Sequence, residues 1–109
     1  MSYIFNSFEM ERRELAPGIS LRSRWGDKVM MSLVDVAPNT VMAEHSDPHE
    51  QAGIMLEGEF DMTVGGETRR LRPGDGYMVP GGVKHSLRSL DGWALALDIF
   101  SPPREEYKK

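Results

Sequence analysis

The chain has 109 residues, with 13 lysines and arginines against 17 aspartates and glutamates, a formal net charge of -4 and no cysteine. That length suits one domain spanning residues 1–109, and the acidic balance leaves no broad cationic surface for a phosphate backbone, so nucleic acid is not an expected partner. Disulfide and thiolate chemistry are excluded, and no stretch approaches the roughly 20 apolar residues of a membrane span or the basic-then-apolar pattern of a secretory leader, so the expectation is a soluble, cytoplasmic protein without a membrane partner.

In chain order, Tyr3, Ile4, Phe5 and Phe8 form an apolar N-terminal run. It can cover a sheet edge of a second copy, which makes a homodimer the expected assembly, or the bottom of this chain's own fold. Short runs with period-two alternation follow, broken by Gly, Pro and Asp, and they read as strands. These are Ile19 to Arg24, Lys28 to Ala37, Val41 to His45, Gln51 to Leu56, Glu59 to Val64, Glu67 to Leu71, Gly76 to Val79, Lys84 to Leu90 and Trp93 to Phe100. No segment predicts a helix of ordinary length. Phe60, Met62 and Val64 alternate with Glu59, Asp61 and Thr63, and Gly65-Gly66 supplies the positive backbone angles of a tight hairpin turn. Turn signals recur about every 8 to 12 residues, the spacing of an antiparallel sandwich or barrel, so the fold class is all-β. Met42, Met55 and Met78 are read as core filling.

Two clusters carry the chemistry. All three histidines fall in them: His45-Ser46-Asp47-Pro48-His49-Glu50-Gln51 with Gly58, and then Gly74 to Pro80, Gly82 and His85. On a regular strand His45, Asp47 and Gln51 share a face, and His85 meets them from a neighbouring strand. Two imidazoles, one carboxylate and one amide oxygen form a mixed nitrogen and oxygen set suited to one divalent first-row ion, Ni, Mn, Fe, Zn or Co. Satisfied core histidines are the alternative for His45 and His85. His49 is read as a rim residue, with direct ligation in place of Asp47 as the alternative, and Glu50 as solvated.

Near the C-terminus, Trp93, Leu95, Leu97 and Ile99 occupy one face of the last strand, and Ala94, Ala96, Asp98 and Phe100 the other. The small alanines leave room that Asp98 faces, and a buried aspartate has its pKa raised toward that of a working acid or base. The alternative is an aspartate paired structurally with Arg104 or a backbone donor. Arg104 offers a planar fork for a carboxylate, or is simply a solvated tail residue. The segment Ser101 to Lys109 starts too rich in proline for another strand and is expected to fold back over one mouth of the barrel.

Gly74, five residues, Pro80, one residue, Gly82, two residues and His85 resemble the second motif of the cupin family; His45, Asp47, Gln51 and Gly58 sit at ligand and glycine positions of the first. The resemblance implies a double-stranded β-helix, a jelly-roll-like antiparallel barrel with a metal inside. The segment HSDPHEQ, the short length and the tail DIFSPPREEY resemble the pectin-degradation cupins of KdgF type more specifically. That likeness implies ring opening of 4,5-unsaturated uronates, small anionic sugars, to linear keto forms. It puts His45, Asp47, Gln51 and His85 at metal positions and Asp98, Phe100 and Arg104 beside the substrate. The family commonly has histidine where this chain has Asp47, which alters the charge of the set. Two other classes stay open: an oxygen-using metal enzyme, separated by oxygen consumption, and a stand-alone small-ligand binder, separated by absence of turnover.

Overall fold

The computed structural model describes residues 2–108. Ten strands form, all paired antiparallel: β1 (Arg13–Ala16), β2 (Ile19–Trp25), β3 (Met30–Val36), β4 (Val41–His45), β5 (Glu50–Glu57), β6 (Phe60–Val64), β7 (Glu67–Leu71), β8 (Gly76–Val79), β9 (His85–Ser89) and β10 (Ala94–Ser101). Short 3-10 turns lie at Ser7–Glu9 and Glu105–Tyr107. The nine expected strands are all present, and β1 is an addition. Its sequence RELA shows no alternation, and it pairs only along the outer edge of β2.

The strands divide into a six-stranded sheet, β1-β2-β3-β10-β5-β8, and a four-stranded sheet, β4-β9-β6-β7. The all-β class is as expected, with one refinement: among the described residues the sheets are not hydrogen-bonded into a closed barrel but lie as two layers. Ile19, Leu21, Met30, Val34, Met55, Ala96 and Phe100 of the larger sheet pack on Phe60, Met62 and Leu71 of the smaller in one core. At Gly65-Gly66 both residues take positive φ, 56° and 88°, as the hairpin turn requires.

The inward face of β10 carries Ala94, Ala96, Asp98 and Phe100, all buried. This strand lies between β3 and β5, at the middle of the larger sheet, so whatever its inward positions hold is placed at the centre of the molecule. Met55 is core, but Met78 is 64% exposed, because β8 turns Tyr77 and Val79 inward and Met78 out. The tail does fold back: Pro103 and Tyr107 are buried, and the Tyr107 ring meets Phe100 edge-on at 5.4 Å. The rings of Phe5 and Phe8 lie beneath the Arg24 and Arg22 guanidinium groups of β2, at 4.9 and 5.6 Å, and all four apolar residues of this run, Tyr3, Ile4, Phe5 and Phe8, keep exposed surface. Among the described residues no helix is long and apolar enough to cross a membrane.

Candidate active site

Between the sheets is a cavity of about 40 Å³, lined by His45, Gln51, Tyr77, His85, Asp98, Phe100, Arg104 and Tyr107 among others. The expected common strand for His45, Asp47 and Gln51 does not exist. Residues 46–49, with Pro48 among them, form the crossover between the two sheets, so β4 ends at His45 and β5 starts at Glu50. His45 and His85 are register partners on β4 and β9, with ring centroids 4.2 Å apart. Gln51 comes from the opposite sheet.

Each of these imidazoles is oriented by its own backbone. Nδ1–H of His45 donates to the Ala43 carbonyl at 2.9 Å and that of His85 to Val83 at 3.0 Å, which leaves Nε2 as the unengaged nitrogen of each. Burial holds the His85 pKa below its usual value and His45 nearby adds to this, against the Val83 hydrogen bond, so His85 offers a lone pair. Gln51 donates Nε2–H to Asp98 Oδ2 at 3.2 Å, leaving its carbonyl oxygen unengaged. Among the described residues no three His, Cys, Asp or Glu side chains converge as a metal-holding group. A set of His45, His85 and the Gln51 oxygen nevertheless suits a first-row divalent ion, as a neutral and therefore weak site.

Asp47, the fourth expected donor, does not line the cavity. Its Oδ1 accepts from the backbone N–H of His49 at 2.8 Å and faces His49 Nδ1 at 3.2 Å, while Oδ2 meets Arg104 Nη1 at 3.2 Å. The Arg104 fork is completed by Glu106, 2.7 Å away, and its guanidinium stacks over Tyr107 at 4.2 Å, with Phe100 at 5.4 Å. Arg104 is thus no free tail residue. It joins the crossover loop to the tail and roofs the cavity. Nearby, Gly82 N–H donates to the Asp47 carbonyl at 2.7 Å, which ties the two motif loops together.

Asp98, Phe100 and Arg104, which the family resemblance set beside one another, line this one cavity. Burial lifts the Asp98 pKa to about 6, against the lowering by hydrogen bonds from Tyr77 and Gln51 and by the Arg104 charge. Tyr77, absent from the sequence-derived set, donates its hydroxyl to Asp98 Oδ1, and burial followed by the Asp98 charge pushes its own pKa well above the usual tyrosine value. One sequence signal pointed to it. Gly53 interrupts the apolar strand β5, and an isolated strand glycine marks a close approach by a neighbour.

A model of the Cupin domain family matches residues 32–100. The chain is 32% identical over 109 residues to the pectin degradation protein KdgF of Dickeya dadantii (strain 3937), covering 98% of this chain and 99% of that protein. The solved structure of KdgF from Halomonas sp. superposes with a TM-score of 0.90 at 28% identity, covering 98% of this chain and 99% of that one. An RmlC-like cupin from Shewanella frigidimarina NCIMB 400 gives 0.91 at 23% identity, covering 98% and 96%, a likeness of fold. The chain therefore belongs to the cupin family and, along nearly its full length, is similar to the KdgF proteins within it.

Proposed function

We propose that this cupin opens the ring of 4,5-unsaturated uronate monosaccharides, the small anionic sugars that lyases release from pectin or alginate, giving linear ketouronates. The observation that carries the reading is a buried carboxylate, Asp98, set in one cavity with the Arg104 guanidinium and the unengaged nitrogens of His45 and His85. Similarity to proteins named for pectin degradation supports the substrate class.

In this reading Arg104 binds the uronate carboxylate through the N–H groups left over on Nη1 and Nη2, while Glu106 on Nε and Nη2 and Asp47 on Nη1 fix the plane of the guanidinium. Phe100, buried beneath it, supplies an apolar wall for the sugar. Asp98 takes the proton of the anomeric hydroxyl; the aldehyde forms at C1 as the bond to the ring oxygen breaks, and the electron pair passes to the enolate at C5. Return of a proton to C4 yields the ketone, so atoms balance and the net change is an isomerisation. A carboxyl group with a pKa near 6 suits both transfers at neutral pH. A divalent first-row ion held by His45, His85 and Gln51 would supply Lewis-acid stabilisation of the developing oxyanion.

The test is decay of the ultraviolet absorbance of 4,5-unsaturated galacturonate with purified protein, chelator-stripped and then reconstituted with each of Ni, Mn, Fe, Zn and Co. Catalysed loss of the conjugated double bond, restored by at least one ion, is the expected result. No acceleration over buffer under any of these conditions would overturn the reading.

A further inference from the structure

Five residues form a row across the inner face of the larger sheet. Ser23 pairs with Ser32, Ser32 with Asp98, Asp98 with Gly53, and Gly53 with Tyr77. Tyr77 and Asp98 are thus separated by a whole strand, a span of about 10 Å at ordinary strand spacing. Only a long side chain lying flat can bridge that span, and only if the residue between has no side chain. Gly53 meets this condition: a Cβ there would sit 2.2 Å from Cε2 and Cζ of the Tyr77 ring. The ring passes over Gly53, and its hydroxyl ends on Asp98 Oδ1 while Gln51 holds Oδ2.

We propose that Tyr77, seated over Gly53, is a positioning residue for the ring opening, an inference that rests on the function proposed above. With one donor on each oxygen, the Asp98 carboxylate cannot rotate about its last torsion, and one lone pair on each oxygen stays available to the substrate. The proton taken from the anomeric hydroxyl lands on one of these, and the Tyr77 hydroxyl stays on Oδ1 throughout. Fixing the base in this way matters because a displacement of about 1 Å at a reacting group can cost about a hundredfold in rate. The Tyr77 hydroxyl is engaged by Asp98, so its effect on the reaction passes through that carboxylate.

The experiment compares the parent protein with Tyr77→Phe, Gly53→Ala and the double variant, measuring kcat and KM on 4,5-unsaturated galacturonate and the stoichiometry of binding of galacturonate, the saturated analogue. Tyr77→Phe keeps the ring and loses the hydroxyl, so kcat is expected to fall about tenfold or more with KM and the number of binding sites unchanged. Gly53→Ala displaces the ring and is expected to show the same defect, with no further loss in the double variant. A Tyr77→Phe kcat within about threefold of the parent, or a loss matched by a fall in binding sites, would overturn the role of Tyr77 and leave the ring-opening reading standing. An inactive parent would instead overturn both.

Discussion

Asp98 enters β10 between Leu97 and Ile99 on the inward face, where its carboxylate gives up hydration that two hydrogen bonds and a nearby guanidinium only partly restore. Its pKa of about 6 lies above the unfolded value of 3.8, so folding favours the protonated form. The stability contributed is fully present below pH 3.8 and is lost as pH rises through about 6, a difference of about 3 kcal/mol at 1.36 kcal/mol per unit. Asp98→Asn in chelator-stripped protein is therefore expected to resist urea better than the parent at pH 7.5, by up to about 3 kcal/mol, with the advantage gone near pH 4. An equal difference at both pH values would contradict the account of this site. Asp98 was legible in the sequence because alternation alone puts it with Ala94 and Ala96. The partnership of Asp47 with Arg104 was not, since it spans a loop and a tail to which no periodicity applies.

At the level of elements, the turns decide which strands meet. Gly58 joins β5 to β6 with φ +73°, and a Cβ there would lie 2.2 Å from the Trp93 carbonyl oxygen, a backbone atom that cannot swing aside. Gly66 has a similar φ of +88° but open space around it. Gly58→Ala is expected to cost about 3 kcal/mol or more in urea unfolding and Gly66→Ala about 1 kcal/mol, because only the first adds a backbone clash to the strain of positive φ. Equal costs would show that backbone angle alone accounts for both glycines. Strand positions were readable from alternation and from such turns, as was the β6–β7 hairpin across Gly65-Gly66, whereas the pairings of β5 with β8 and with β10 were not. Tyr77 reaches Asp98 only because β8 pairs with β5 and β5 with β10, pairings of residues more than 20 apart that local pattern does not encode.

For the whole molecule, the cavity's size is the telling quantity. At about 40 Å³ it holds little more than a water, whereas ligand pockets commonly start near 300 Å³. The roof is Arg104 and Tyr107 of the tail, latched to the crossover loop by Asp47, so the proposed function requires the tail to move aside for a sugar to enter. Asp47→Asn weakens that latch while keeping Arg104 in place. Galacturonate is expected to associate several-fold faster with this variant than with the parent in stopped-flow mixing; an unchanged association rate would mean that entry lies elsewhere. That the tail folds over a mouth was legible from its prolines, but the tightness of the closure depends on a stack of Arg104 over Tyr107 that only the fold brings together. The most direct test of the account is the turnover of Asp98→Asn on 4,5-unsaturated galacturonate, with galacturonate binding measured in parallel. Loss of a proton-transfer group predicts a kcat lower by about 100- to 10,000-fold with the analogue still bound, in a protein no less stable than the parent. A kcat within about tenfold of the parent would contradict the claim that Asp98 moves the protons.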